Sequence, residues 1–324
     1  MGYSSITYTA PTNGGQLIQN TLDTLLLGAG WTSVATHTSG TIVSNIYKSA
    51  GTLNSFGQDF YLLTQRQSVT DSSCRITIFE QWDSVNTKLL KYCPWNSAGL
   101  TPAADYSVPD VVGVLPSTLG SSVNFSTITL PNTGTTVVSI KVDIDKVYGF
   151  GSAGCYAGLF DSFLTSDPFP LCVANLIRPF TSTSSAATQT QYIGYTREPN
   201  QTAVDVNNWT GAVPYLEGQA IYGIANGNSN GVELYTQKFS VWRGSVFASL
   251  RAYGILNGAT ENYAYTAFRG LPKDIILTGT SGNGGDTLTF TQGATTYNYF
   301  GLTSYSAIGS AFAGSYGCAI WGLK

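Results

Sequence analysis

Apolar side chains near the start of the chain recur at helical spacing. They occupy one face of residues 16–27, with Thr12-Asn13 before the segment as a cap and Gly28-Ala29-Gly30 after it as a stop. The apolar positions are Leu17, Ile18, Leu22, Leu25 and Leu26. The pattern predicts one amphipathic helix, and Trp31 follows it.

Beyond this helix, apolar and polar residues alternate, which is typical of antiparallel strands. Residues 137–148 give the clearest case, and the alternation predicts one half-buried strand with a solvated outer face. Val138, Ile140, Val142 and Ile144 fall on its apolar face, and Ser139, Lys141, Asp143 and Asp145 on its polar face. A second strand is predicted at 75–82, with Ile76, Ile78 and Trp82 on one side. Residues 287–291 and 295–300 flank Gly293 and predict a hairpin.

These elements predict a mainly β protein. We expect a small α+β region with one early helix at 1–95, and then a β-rich domain of sandwich-like antiparallel sheets at 120–324. A Pro/Ser-rich connection with Pro102, Pro109 and Pro116 separates them at 96–119. No internal repeat of solenoid or propeller length is present.

Charge is scarce and unevenly distributed. Only 33 of 324 residues are charged (15 basic, 18 acidic), while 43% are hydrophobic, which excludes wholesale disorder. Asp23 is the one charged residue in 1–47, Asp105 and Asp110 are the only ones in 92–140, and Asp286 is alone in 275–323. Such neutral stretches fit surfaces that are covered by partners or that contact neutral ligands such as glycans, although flexible Ser/Thr/Gly loops would look similar.

Composition also narrows the partners and the location. A net charge of −3 gives no reason to expect nucleic-acid binding. No apolar run is long enough for a transmembrane helix, and the first residues do not read as a signal peptide, so membrane insertion is not expected. The five cysteines are odd in number and lack a C-x-x-C pair, which predicts free thiols. Free thiols agree with a protein that is made and stays in a cytoplasm.

Four features could carry chemistry, and each has a plainer interpretation. Residues 149–154 match G-x-G-x-x-G, but the alternating strand before them favours a glycine-rich turn over a dinucleotide site. Asp143 and Asp145 could share a cation or do acid–base work, although ion pairs with Lys141 and Lys146 are the commoner outcome. Any histidine mechanism must use His37, and its polar surroundings favour a surface residue. Residues 282–286 are similar to a calcium-binding β-roll turn, but a single copy lacks the stacking that builds such a site, and a loop is favoured. No catalytic, cofactor-binding or metal residue is therefore predicted.

The order of several short motifs resembles virion structural proteins of tailed bacteriophages. In that family a helix–Gly–Trp start precedes a tyrosine–alanine–glycine centre, a proline–aromatic–proline–leucine run, and a finish of tyrosine, two residues and phenylalanine. The matching residues are Gly28-Ala29-Gly30-Trp31, Tyr156-Ala157-Gly158-Leu159-Phe160, Pro168-Phe169-Pro170-Leu171 and Tyr297-Asn298-Tyr299-Phe300. Cys172-Val173-Ala174-Asn175 departs from the family's valine–glycine–glycine run.

The resemblance implies a non-enzymatic structural subunit. Such a protein is assembled in the bacterial host cytoplasm into the virion, as an oligomeric tail, baseplate or neck component. Its partners are further copies of itself and other virion proteins, and it has no cofactor. The alternative is a receptor- or glycan-binding fibre or capsid decoration protein, for which a host surface glycan is the partner. A polysaccharide-cleaving tailspike that uses Asp143 and Asp145 is a further rival, but it lacks the expected repeats.

Overall fold

The structure is a computed structural model. It describes residues 2–66, 68–85, 87–92, 106–107, 126–129, 133–151, 154–162, 170–176, 194–197, 209–216, 247–255, 266–278, 284–302 and 319–324. Within these residues the chain is mainly β, with antiparallel sheets and one helix, as the alternating patterns predict. No helix in this part of the chain is long and apolar enough to cross a membrane.

The predicted helix is present as α1 (Gly14–Gly28). Its buried side chains include Ile18, Leu22 and Leu26, which recur at the spacing of one helix face. The backbone N–H of Ala29 donates to the carbonyls of Leu25 and Leu26, and Gly30 follows with φ +95°, a conformation that glycine adopts without strain.

In the described part of the chain, the smaller sheet has seven strands, in the order β2-β3-β4-β5-β6-β7, with β8 paired to β5. Its strands are β2 (Thr32–Ser39), β3 (Ile42–Ser49), β4 (Phe60–Arg66), β5 (Ser73–Asp83), β6 (Lys88–Tyr92), β7 (Tyr106–Ser107) and β8 (Ser126–Thr129). Strand β5 contains the predicted strand at 75–82 and buries Ile76 and Ile78 completely.

The larger sheet has thirteen strands among the residues that the structure describes, in the order β1-β9-β10-β11-β12-β13-β14-β15-β17-β20-β19-β18, with β16 paired to β11 and β15. Its first strands are β1 (Gly2–Thr9), β9 (Thr135–Val142), β10 (Lys146–Phe150), β11 (Gly154–Ser162), β12 (Leu171–Leu176) and β13 (Gly194–Arg197). The others are β14 (Trp209–Leu216), β15 (Phe247–Ile255), β16 (Thr266–Pro272), β17 (Ile275–Thr278), β18 (Thr287–Gln292), β19 (Thr295–Gly301) and β20 (Ala319–Leu323). The predicted C-terminal hairpin is β18–β19, and Gly293 (φ +60°) lies in its turn.

The prediction of one strand over 137–148 is wrong. Strand β9 ends at Val142, β10 begins at Lys146, and the two pair antiparallel, with Val142 opposite Val147. The side chain of Asp143 accepts hydrogen bonds from the backbone N–H groups of Asp145 (2.8 Å) and Lys146 (3.2 Å). An aspartate that bonds its own backbone in this way favours a turn over continued extension.

The solvated outer face predicted for this segment is also wrong, because both faces are covered. Val138, Ile140 and Val142 pack in a core with α1 and with strands β4 and β5. On the opposite face, Ser139, Lys141 and Asp143 are buried. There the Tyr148 ring stacks on Phe300, and its hydroxyl donates to the carbonyl of Leu323 (2.6 Å).

The predicted division at residues 96–119 is crossed by several contacts. Strand β1 pairs with β9 along its whole length, and β5 pairs with β8. One apolar core contains Leu22 and Ile76 together with Val142 and Leu171. Most of the predicted connection lies outside the described residues, and the division into 1–95 and 120–324 stays a prediction.

Candidate functional site

Seven charged side chains meet around the turn between β9 and β10. We call them the ion-pair cluster: Lys141, Asp143, Asp145, Lys146, Asp161, Lys273 and Asp274. They come from β9, the 143–146 turn, β11 and the 273–274 turn between β16 and β17. In a chain with only 33 charged residues, seven in one region make the cluster a candidate functional site.

Lys146 lies at the centre of the cluster. Its ammonium contacts a carboxylate oxygen of Asp143 and lies 2.9 Å from Asp274 Oδ2, while its side chain is only 4% exposed. Burial alone would lower the pKa of Lys146, but the charges of Asp143 and Asp274 outweigh it and raise this pKa above its usual value. Lys146 is therefore a cation at neutral pH in the folded protein.

Lys273 holds the outer part of the cluster. Its ammonium lies 3.0 Å from Asp145 Oδ2 and 3.6 Å from Asp161 Oδ1, and it donates to the hydroxyl of Ser55. Burial would raise the pKa of Asp145, but the Ser55 N–H, the Ser55 hydroxyl and Lys273 outweigh it and hold this pKa below its usual value. The loop at Ser55 is thereby tied to two turns that are distant in sequence.

Lys141 is the least compensated cation of the cluster. Burial lowers its pKa, and the charges of Asp143 and Asp274 only partly oppose this effect. It extends from β9 on the same face as Tyr148 and Phe150, which the C-terminal strands cover.

Close packing supports the turn. Gly158 on β11 has φ +149°, and a Cβ there would lie 2.5 Å from the carbonyl oxygen of Asp145. Leu159 N–H donates to that oxygen at 2.9 Å. The Tyr156 hydroxyl donates to the Leu159 carbonyl and accepts from Lys273 N–H at 3.2 Å. The tyrosine–alanine–glycine motif noted in the sequence thus positions the cluster.

The carboxylates of Asp143 and Asp145 are engaged in ion pairs and hydrogen bonds. Among the described residues, no group of three or more His, Cys, Asp or Glu side chains could hold a metal ion. The prediction of ion pairs with the flanking lysine Lys146 holds for Asp143, but the pair is buried and not solvated. The ion pairs and hydrogen bonds of the cluster therefore fasten the 143–146 turn to the turn before β17 and to the loop that contains Ser55. We call this structural role a clasp.

The other candidate residues do not converge on this clasp. His37 lies on β2 opposite Ser44, whose hydroxyl accepts from Gln65 at 2.9 Å. The G-x-G-x-x-G segment joins β10 to an antiparallel strand, β11, where a dinucleotide fingerprint requires a helix. Gly285 and Asp286 pair through their backbones with Gly301 at the open end of the β18–β19 hairpin.

Sequence reasoning missed Lys273 and Asp274. They form a two-residue turn in which Asp274 has φ +61°, a left-handed conformation that aspartate tolerates better than most residues. A Lys-Asp pair directly after Pro272, at the start of the nearly uncharged segment 275–323, was the available signal. Nothing local linked it to Ser55, which is 218 residues away.

A second feature is the composition of the sheet edges. Among the described strands, those with a single paired neighbour are β1 and β18 in the larger sheet and β2, β7 and β8 in the smaller. None of the five contains Asp, Glu, Lys, Arg or Pro. On β1, β2 and β18 the exposed positions are mainly threonine and serine, with Ile6 and Val34 exposed by 38% and 40%.

The described residues form a mainly β protein with antiparallel sheets, and the ion-pair cluster fastens distant parts of it together. Neither the protein-family models nor the curated proteins compared with this chain match it.

Proposed function

We propose that this protein is a non-enzymatic structural subunit of a tailed-bacteriophage virion, an oligomeric tail, baseplate or neck component that connects other virion proteins. The motif order described above supports the virion assignment. The observation that carries the proposal is the absence of charge and proline from the edge strands of both sheets among the described residues.

An exposed strand edge presents unpaired N–H and C=O groups that can pair with another chain. Monomeric proteins block such edges with charged residues, most often lysine, or with proline. This chain has 15 basic residues and 12 prolines, yet none lies on β1, β2, β7 or β18. Seven of the 33 charged residues lie instead in the ion-pair cluster, where they stabilise one copy of the chain. Charge depletion of this kind is typical of the cores of protein interfaces.

The first test measures the mass of the full chain in solution by light scattering after size exclusion. We expect an oligomer, and we expect exposed edge substitutions to lower its mass: Thr7→Lys on β1, Thr36→Lys on β2 or Thr289→Lys on β18. Thr52→Lys in the exposed loop before β4 is the matched control and should leave the mass unchanged. A monomeric wild type would overturn assembly through these edges. So would an oligomer whose mass is unchanged in a variant that combines all three edge substitutions.

The second test concerns the virion itself. Mass spectrometry of purified particles should detect the chain in many copies, and labelled particles imaged by electron microscopy should place it in the tail, baseplate or neck. Absence of the chain from the particles would end the virion assignment, even if the isolated protein is an oligomer.

A receptor- or glycan-binding role, in a fibre or a capsid decoration protein, is the second candidate function. The observation that favours it is a surface cleft at the end of the smaller sheet, whose lining residues include Tyr61 and the amides Gln58 and Gln81.

A further inference from the structure

The β18–β19 hairpin extends past the strand that holds its base. At the base, Phe300 is fully buried, and β19 pairs with β20 over residues 299–301. One further backbone bond joins the carbonyl of Asn298 to the N–H of Lys324 at 2.8 Å. Beyond Asn298, no described strand other than β18 pairs with β19. Within the described part of the chain, residues 289–298 therefore form a two-stranded ribbon.

This ribbon is exposed and carries no charge. Its exposed residues include Thr289 and Thr291 on β18, and Thr296 and Asn298 on β19. No residue from 287 to 301 is charged. Side-chain hydrogen bonds join Thr289 to Asn298 at 3.0 Å and Thr291 to Thr296 at 3.2 Å. Because a two-stranded hairpin alone is at best marginally stable in water, the ribbon would be stabilised by further strands added at its edge.

The register of the hairpin shows which backbone groups of β18 face its open edge. In an antiparallel pair, hydrogen-bonded and non-hydrogen-bonded residue pairs alternate. The N–H of Gly301 donates to the opposite carbonyl of Asp286 at 2.9 Å, so these two residues form a hydrogen-bonded pair. By alternation, Thr287, Thr289 and Thr291 lie in non-hydrogen-bonded pairs with β19. Their N–H and C=O groups therefore point away from β19, to the side where β18 has no described neighbour.

The open edge of β18 is complementary to itself. Its outward-facing residues are three threonines, evenly spaced about Thr289. If the strand is turned end for end, Thr289 lies opposite the same residue of a second copy, and Thr287 lies opposite Thr291. Neither a charge nor a proline on β18 opposes this pairing. A contact between two identical surfaces is isologous and closes with two-fold symmetry.

We infer that β18 pairs antiparallel with β18 of a second copy, about a two-fold axis at Thr289, so that two ribbons form one four-stranded sheet. The inference rests on the proposed assembly through sheet edges, and it names the partner and the register of one edge. Each outward-facing residue exchanges two backbone hydrogen bonds with its partner in the second copy. The resulting sheet exceeds the three strands that independent stability requires.

Disulfide formation in the full-length chain tests the register. The Cα atoms of a hydrogen-bonded antiparallel pair lie about 5.5 Å apart, within the span of about 4.4–6.8 Å that a disulfide bridges. Oxidation of Thr289→Cys with copper phenanthroline should therefore link two copies. Thr287→Cys alone or Thr291→Cys alone should not, because identical residues four positions out of register are roughly 13 Å apart. A mixture of these two variants should link.

The matched control for this experiment is Thr296→Cys. Thr296 is exposed on the same hairpin, one strand away from the proposed contact. We expect on the order of tenfold more linked dimer from Thr289→Cys, because only Cα atoms within about 7 Å can be bridged. The wild-type chain, with its five native cysteines, gives the background under the same oxidation.

A second experiment uses charge and needs no cysteine. Thr289→Lys or Thr289→Glu alone places two like charges opposite each other at the two-fold axis, which is destabilising. An equimolar mixture of the two variants places opposite charges there, which stabilises a cross-strand pair. Light scattering should therefore give a lower mass for each variant alone and a higher mass for the mixture.

Each outcome decides the inference. A monomeric wild type would overturn it together with assembly through the edges. An oligomeric wild type in which Thr289→Cys links no more dimer than Thr296→Cys would overturn this inference alone and leave assembly to the other edges. Equally strong linking by Thr287→Cys alone would contradict the antiparallel register, and a charge mixture no heavier than its components would contradict the two-fold contact.

Discussion

Replacing Lys146 with methionine tests whether the ion-pair cluster acts as a buried clasp. Methionine keeps most of the length of the side chain and removes the ammonium that contacts Asp143 and lies 2.9 Å from Asp274. Removing one partner of a buried ion pair costs about 3–5 kcal/mol, because the other charge is left buried without compensation. Asp274 is 36% exposed and is rehydrated easily, so nearly all of the cost arises at Asp143.

The expected loss in the free energy of unfolding lies at the lower end of that range. Asp143 is 9% exposed but still accepts hydrogen bonds from the backbone N–H groups of Asp145 and Lys146. We therefore expect Lys146→Met to lower the free energy of unfolding by about 3 kcal/mol. Adding Asp143→Asn removes the carboxylate charge that Lys146 no longer balances, and the amide oxygen can still accept the hydrogen bonds of the turn. The double variant should therefore regain about 2 kcal/mol of the free energy of unfolding.

Urea unfolding followed by tryptophan fluorescence measures this loss. Trp31 reports on the region directly, since its indole N–H donates to the Asp143 carbonyl at 2.7 Å. Lys48→Met is the matched control, because it breaks a Lys–Asp pair whose side chains are 33% and 47% exposed. Such a pair contributes about 0.2–1 kcal/mol. If Lys146→Met were no more damaging than this control, or if Asp143→Asn gave no recovery, the clasp would be refuted.

Two further variants test the packing of β20 on Tyr148 and the contribution of Asp145 to the ion-pair cluster. Gly322→Ala would place a methyl group about 2.5 Å from the Tyr148 ring, and we expect a loss of about 1–3 kcal/mol in urea unfolding. Gly28→Ala, where nothing lies within 4 Å of the added carbon, should cost nothing, and equal losses in both would contradict the close packing of β20 on Tyr148. Asp145→Asn should lose about 2 kcal/mol at pH 7. Because the folded-state pKa of Asp145 is lowered, its contribution is complete above the unfolded-state pKa of about 3.9 and is lost as pH falls through the folded-state value. The gap between wild type and Asp145→Asn should therefore narrow in urea titrations below pH 4, and a gap that is constant with pH would contradict the assignment.

Local sequence pattern was sufficient where neighbouring residues form the structure. The helical spacing from Leu17 to Leu26 predicts α1, the alternation around Ile76 and Ile78 predicts β5, and Gly293 predicts the turn of the β18–β19 hairpin. Each of these elements depends on side chains a few residues apart, and on the fixed periods of helix and strand.

The ion-pair cluster could not be predicted in the same way, because it depends on contacts between residues that are distant in the sequence. Alternation at 137–148 correctly separates two faces, but it cannot show that Asp143 bonds its own backbone and turns the chain. Nor can it show that strands near Leu323 cover the polar face, 175 residues from Tyr148. A polar residue reads as exposed unless its partners are known, and here the partners lie at the other end of the chain.

By itself, therefore, the sequence determined the fold class, the helix, the scarcity of charge and the neutrality of its long segments. Tertiary structure decided where the charges meet. It brought Lys146 and Lys273 to the same turn, buried Asp143 beside them, and left the outermost strands without a charge. The physical reason is that ion pairs and sheet edges are defined by which distant segments become neighbours, and the periodicity of one segment carries no information about the others.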